Sequence, residues 1–244
     1  MCSKKVALVT GTLSGIGRAV ARKYESEGYI VCGIDKNVSS KKIGFNEFCC
    51  DIANVSDVKN TFSQIKKIYP AINYVINCAG IFFDQNREWI ENMTIGEWKK
   101  VIDTNITGTM LITQNAISLL TAAEGDRAIV NISSDQAIHP RKKNSAYAVS
   151  KAGVDIFSKA SAVELLEKGI RVNSVLPASV RTNFIRRLVK DSEHMDKIYE
   201  KENEKMPLGI IEPEEVADLV FFLGSEKSRK ITGQSIMIDS GLYI

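Results

Sequence analysis

KVALVTGTLSGIGRAVARKYESEGYIVCGID, residues Lys5 to Asp35, is the stretch that decides the fold. Lys5 to Thr10 is an apolar, β-rich run, and it meets Gly11-Thr12-Leu13-Ser14-Gly15-Ile16-Gly17. Arg18 to Glu27 then has helical character and ends at Gly28, and Tyr29 to Ile34 is a second buried strand closed by Asp35. Strand, glycine turn, helix and strand make a βαβ unit. The glycines have separate tasks: Gly11 for a tight turn, Gly15 for close approach of a ligand to the backbone, Gly17 for packing the helix near the sheet. The helix N-terminus offers unpaired N–H groups to a pyrophosphate. Asp35, 18 residues after Gly17, can accept hydrogen bonds from an adenosine ribose.

The rest of the chain repeats the alternation. Phe45 to Cys50 predicts a third strand, followed by Asp51-Ile52 and a helix from Asp57 to Ile68 capped by Ser56. Ile72 to Ile76 predicts a fourth strand ending at Asn77-Cys78-Ala79-Gly80, and Thr94 opens a long helical stretch through Asn105 and Asn115. Arg127 to Ile132, Ile170 to Leu176 and Ser235 to Ile238 predict three more strands, with helices over Ser145 to Lys168 and Glu214 to Leu223. Alternating elements with no linker or repeat imply one α/β domain over residues 1–244: a doubly wound, Rossmann-like parallel sheet of about seven strands with helices on both faces. In such sheets ligands lie beyond the carboxyl ends of the strands, where Gly11, Asp35, Asp51, Asn77, Ser134 and Pro177 all fall.

Composition excludes several classes. The chain has 244 residues, 44% hydrophobic and 25% charged, with a net charge of +3, too small to argue for nucleic acid or an anionic membrane. No apolar run reaches the roughly 18 residues of a membrane span, and the apolar run ending at Thr10 is too short for a signal segment. Five cysteines without C-x-x-C spacing and only two histidines, His139 and His194, argue against a metal site and for free thiols in a cytosolic protein.

The second informative stretch is Ser133-Ser134-Asp135-Gln136, followed by Asn144-Ser145-Ala146-Tyr147-Ala148-Val149-Ser150-Lys151. On a helix Tyr147 and Lys151 share one face, and an ammonium beside a phenol lowers the phenol's pKa from about 10. A phenol tuned in this way exchanges a proton with an alcohol or carbonyl.

Together these motifs resemble the short-chain dehydrogenase/reductase family over nearly the whole chain. Thr10 to Gly17 matches its T-G-x-x-x-G-I-G cofactor loop, which places Gly11, Leu13, Ser14, Gly15, Ile16 and Gly17 at the cofactor. Asn77-Cys78-Ala79-Gly80 matches its N-N-A-G segment, with Cys78 for the second Asn, so Asn77, Ala79 and Gly80 join them. Ser134, Tyr147 and Lys151 match the catalytic Ser, Tyr and Lys, with Tyr 13 positions after Ser. Asn105 stands where the family has an asparagine whose carbonyl helps hold a proton-relay water. Pro177-Ala178-Ser179-Val180-Arg181-Thr182 resembles the P-G-x-V-x-T segment, with Pro177, Val180 and Thr182 beside the nicotinamide and Ala178 replacing a glycine at a modest strain cost if that glycine needs positive φ.

The resemblance implies an oxidoreductase that moves a hydride between a secondary alcohol and nicotinamide. Tyr147 would be general base or acid, Lys151 would hold the nicotinamide ribose and lower the phenol's pKa, and Ser134 would orient the substrate oxygen. Asp35 repels a 2′-phosphate and Ser14 occupies the place of a basic residue common in NADP users, so NAD is expected over NADP, with Asp51 and Ile52 flanking the adenine. Gln136, Phe82 and Ser179 are expected in the substrate pocket; a family member specific for 3-hydroxybutyrate would have glutamine in place of Phe82. Residues 181–207 are expected to form a lid, in which Arg181, Arg186 and Arg187 hint at an anionic substrate but suit a solvated helix face better. A homotetramer or homodimer is expected through the Tyr147 helix, with Ala152, Gly153, Phe157, Ala160 and Val163 as its outer stripe. Two rivals stay open: a non-catalytic dinucleotide-binding regulator, and a dehydratase or epimerase on the same fold.

Overall fold

In a computed structural model of the chain, residues 4–37, 44–82, 89–182 and 192–244 are described. The parallel sheet follows from the strand sequences themselves. Its strands are β1 (Val6–Thr10), β2 (Ile30–Asp35), β3 (Asn46–Cys49), β4 (Tyr74–Asn77), β5 (Arg127–Ile132), β6 (Ile170–Pro177) and β7 (Ser235–Ile238). They lie in the order β3-β2-β1-β4-β5-β6-β7, all parallel. The order reverses between β1 and β4, which opens a crevice at the carboxyl edge.

Strand residues alternate between two cores, as a period of two requires. Ala7, Val9, Tyr74, Ile76, Ala128 and Val130 face helices α1 (Gly15–Ser26) and α7 (Pro213–Leu223), and join Val20, Tyr24, Val216 and Val220. Leu8, Ile34, Val75 and Ile129 face α2 (Val55–Ile68), α4 (Gly108–Ala122) and α5 (Ser145–Leu165), and join Phe62, Ile65, Ile112 and Leu165. Arg171 enters this framework as a buried cation: it pairs with Asp126 at 2.8 Å and donates to the Leu223 and Ser225 carbonyls at the end of α7. Leu223 is the last residue of α7, so its carbonyl has no partner within the helix, and Arg171 and Ser228 supply two.

Three local expectations need correction. Asn54, not Ser56, caps α2: its side chain accepts from Ser56 N at 2.9 Å and Asp57 N at 3.2 Å. The long helix after Thr94 is not continuous. Thr94 caps α3 (Ile95–Ile102) through a capping box with Glu97, but a π turn over Asp103–Thr107 separates α3 from α4. Ala178 is not among the described non-glycine residues with positive φ, which are Lys143 and Ser240, so it carries no left-handed strain. The helix in the 181–207 segment is α6 (Ser192–Asn203). Among the described residues, no helix is long and apolar enough to cross a membrane.

Candidate active site

The glycine turn builds one end of a cleft of about 1340 Å³ along the carboxyl edge. Gly11 and Gly15 have φ of 75° and 51°, in the left-handed region that a side chain disfavours. A Cβ on Gly17 would stand 2.2 Å from the Gly11 carbonyl oxygen. Ser14 precedes α1 but makes no side-chain cap, and no acid stands in the first turn, so neither satisfies the N–H groups of that helix N-terminus. Asp35 ties the turn to β2: its carboxylate accepts from Leu13 N at 3.1 Å and Asn37 N at 3.2 Å. Lys36 is drawn aside to Asp51, at 2.6 Å. A glycine cradle a Cβ would fill, an uncapped helix N-terminus and an acid at the next strand end fit a dinucleotide.

The other end is built by the β5 terminus and α5. The two serines there divide their work. Ser133 donates to the Lys151 backbone carbonyl at 2.7 Å, pinning α5 to the sheet, while Ser134 lines the cleft and donates to Asp135 at 2.9 Å. Lys151 is 4% exposed, and its Nζ donates to the Ile132 carbonyl at 2.8 Å. Gly80 makes room for it: a Cβ there would stand 3.3 Å from Nζ. Phe82 meets the Tyr147 ring edge-on, with centroids 6.0 Å apart.

The electrostatics of this pair overturn one expectation. Burial pushes the Tyr147 phenol up to about 12 and the Lys151 ammonium down to about 8. Each shift has the same cause, the cost of a charge taken out of water. Lys151 does not lower the phenol here because it lies over the ring, 5.7 Å from the centroid, with a proton committed to Ile132.

Most residues expected at the site do line this cleft. Gly11, Ser14, Gly15, Ile16, Gly17, Asp35, Asp51 and Ile52 line the end with the glycine turn; Ala79, Gly80, Pro177, Val180 and Thr182 the middle; Ser134, Tyr147, Lys151, Gln136, Phe82 and Ser179 the far end. Three do not line it. Leu13 turns its N–H to Asp35. Asn77 is 3% exposed inside the fold, where its Nδ2 donates to Asn131 at 2.8 Å. Asn105 is 1% exposed in the π turn; its side chain exchanges two 2.8 Å hydrogen bonds with the Ile81 backbone, and its carbonyl accepts from Thr109. Asn105 thus holds the segment carrying Gly80 rather than facing the cleft itself.

Sequence reasoning named Gln136 and Ser179 but missed Arg141, Asn144 and Glu202, the partners that complete the polar far wall. Asp135 and Arg141 pair at 2.9 Å, Arg141 stands 3.6 Å from Glu202 of α6, and Ser179 donates to Glu202 at 2.6 Å. Asn144 donates to the Gln136 side chain at 3.0 Å. No local spacing announces contacts between residues this far apart. Arg181 turns to Glu212 at 2.7 Å, while Arg186 and Arg187 lie outside the described residues.

Fold and site define a dinucleotide-binding oxidoreductase of the doubly wound α/β class, and similarity to known proteins narrows the class. A family profile described as "Enoyl-(Acyl carrier protein) reductase" matches residues 11–243. The human (3R)-3-hydroxyacyl-CoA dehydrogenase is 34% identical over 260 residues, covering 98% of this chain and 95% of the relative. The 3-oxoacyl-[acyl-carrier-protein] reductase FabG of Aquifex aeolicus is 34% identical over 251 residues, covering 98% and 97%. The ligand-free aldohexose dehydrogenase of Thermoplasma acidophilum superposes with a TM-score of 0.91 at 33% identity, covering 98% and 94%. The chain belongs to the short-chain dehydrogenase/reductase family, whose members use nicotinamide dinucleotides.

Proposed function

We propose that the protein interconverts a secondary alcohol and a ketone with NAD(H), with Tyr147 as general acid and base. The observation that carries this reading is the convergence of Ser134, Tyr147 and Lys151 at one end of a cleft whose other end is the glycine cradle. A bound nicotinamide supplies the hydride acceptor or donor. The residues that would hold it are Gly11 to Gly17, Asp35, Asp51 and Ile52 for the adenosine and pyrophosphate, and Lys151, Val180 and Thr182 for the nicotinamide ribose and ring.

The chain's own work is proton transfer. In reduction, the Tyr147 proton passes to the carbonyl oxygen; in oxidation, the alcohol proton passes to Tyr147 Oη. A phenol held up at about 12 is protonated near neutral pH, the form reduction needs. Ser134 orients the substrate oxygen. Lys151, held down to about 8, is poised to trade a proton near neutrality.

NAD is favoured over NADP because Asp35 keeps its carboxylate at the ribose end and Lys36, the nearest cation in sequence, is neutralised by Asp51. The reading of a lid within 181–207 is supported by α6, whose Glu202 lines the cleft; residues 183–191 lie outside the described residues. A homodimer or homotetramer forms through α5, and the setting is cytosolic. The relatives named for 3-hydroxyacyl-CoA, 3-oxoacyl carrier protein and aldohexose support an alcohol or carbonyl substrate. The test is a panel of 3-hydroxyacyl thioesters, aldoses and polyols, followed by nicotinamide absorbance. A dehydrogenase changes it in step with product. Turnover with no net change would show the dehydratase or epimerase instead.

A further inference from the structure

We propose that Gln136 is a specificity-determining residue, held by Asn144 so that its amide N–H groups bind a second oxygen of the substrate, and that the substrate is a polyhydroxylated compound rather than an acyl thioester. The proposal rests on the reading above that Ser134 and Tyr147 hold the reacting oxygen.

Gln136 stands two residues after Ser134, on the short helical turn Asp135–Ala137 that follows β5. Its backbone N–H donates to Ser134 Oγ at 3.2 Å, and both residues line the far end of the cleft with Tyr147. A primary amide has an acceptor end and a donor end. Asn144 takes the acceptor end. It lies at the start of α5, three residues before Tyr147, is 8% exposed, and its Nδ2 donates to Gln136 Oε1 at 3.0 Å. The donor end of Gln136 has no partner among the described residues. Gln136 is half-buried in the cleft wall, so its two N–H groups are left for what the cleft holds. A donor placed in this way binds an oxygen and rejects a methylene, which would cover it without pairing it.

The same end of the cleft also carries acceptors. Ser179 gives its proton to Glu202 at 2.6 Å and keeps only acceptor positions for the cleft. Glu202 receives Lys205 as well, at 2.6 Å, and stands 3.6 Å from Arg141. Glu202 and Arg141 are half-buried, and both line the cleft. An acyl chain laid against them would strip water from two charges and return no hydrogen bond. Hydroxyl groups return one, and a hydroxyl both accepts, as the Gln136 amide requires, and donates, as Ser179 and Glu202 require. Phe82, edge-on to the Tyr147 ring, and Ile198 offer apolar surface to the carbon skeleton between the hydroxyls.

The test measures binding alone. The protein is saturated with the reduced nicotinamide dinucleotide it binds, which accepts no hydride, and dissociation constants of alcohols are read by ligand-observed NMR. Matched stereoisomers of 2-butanol, 3-methoxy-2-butanol and 2,3-butanediol offer no second oxygen, one that only accepts, and one that also donates. In the wild type the ether and the diol should both bind about 3- to 10-fold more tightly than 2-butanol. Gln136→Leu should bring all three within about 2-fold of one another. Asn144→Asp offers the amide an acceptor in place of a donor, so Gln136 turns its carbonyl to the cleft; the ether should lose its advantage and the diol keep it. A wild type that binds the diol or the ether no better than 2-butanol, a preference that survives Gln136→Leu, or an ether unaffected by Asn144→Asp overturns the role of Gln136. The substrate class has its own arm. Erythritol should bind at least as tightly as 2,3-butanediol, and lengthening a 3-hydroxybutyryl thioester of N-acetylcysteamine to 3-hydroxyoctanoyl should gain less than about 3-fold. A larger gain would put an acyl chain in the cleft and overturn that class. These constants need no turnover, so they report on Gln136 even if Tyr147→Phe leaves activity intact.

Discussion

Lys151 shows what burial does to a single residue. The amine is held down to about 8 from an ordinary 10.5 because its charge is taken out of water. Between those values the unfolded chain binds a proton that the native chain has released. Stability contributed by this group therefore rises with pH across that window, by about 3 kcal/mol in all. Tyr147 works against it above pH 10, where the unfolded phenol ionises and the buried one does not. Denaturant melts of wild type and Lys151→Met at several pH values isolate the lysine: the difference curve should slope between pH 8 and 10.5, and a flat curve would refute the burial argument. Asp35 has its own test. Asp35→Asn keeps an acceptor for Leu13 but loses the charge, so NAD should bind about 10-fold more weakly and the gap to NADP should narrow. Tighter NADP than NAD binding in the wild type would contradict the reading. At this scale Ser134, Tyr147 and Lys151 were legible because fixed spacings on one strand end and one helix bring them together. Arg141, Glu202 and Tyr243 were not, because their pairing with Asp135 and Ser179 depends on chain segments that only tertiary folding joins.

Among elements, strands read best because a parallel strand covered by helices on both faces leaves a near-continuous apolar run in the sequence, as in Val6 to Thr10, all five of them buried. Ends read less well. Asn54 and Ser56 are both good caps, and only the backbone geometry selects Asn54. Asn54→Ala should cost about 1 kcal/mol and lower the melting temperature by about 2–4 °C, without changing cofactor affinity. The π turn was invisible: Asn105 reads as an ordinary helical residue, and the turn follows from its bonds to Ile81 and the packing of Gly153 against Ile106. Gly17→Ala tests the glycine cradle. Its new Cβ would strike the Gly11 carbonyl, forcing α1 away at a cost of about 1–3 kcal/mol. Titration with NADH should show at least about a 10-fold loss of affinity; unchanged affinity would mean the α1 N-terminus does not hold the cofactor.

For the molecule as a whole, the doubly wound architecture was readable from alternation and handedness alone, and the crevice at the β1–β4 reversal followed from it. The outer surface of α5 was read less well. Of its expected stripe, Ala160 and Val163 are exposed, whereas Ala152, Gly153 and Phe157 are half-buried. The exposed large apolar positions of α5 are Val149, Ile156 and Val163, one heptad apart, while Gly153 packs inward against Ile106. Ile156→Asp with Val163→Asp should reduce the sedimenting mass to that of one chain; an unchanged oligomer would place the interface elsewhere. The central claim is that Tyr147 moves the proton in an alcohol–ketone conversion. Its most direct measurement is turnover and NADH binding of Tyr147→Phe, on whichever panel substrate the wild type oxidises or reduces. Turnover should fall by at least about 100-fold with NADH affinity retained; full turnover with the ring intact and the hydroxyl gone would contradict it.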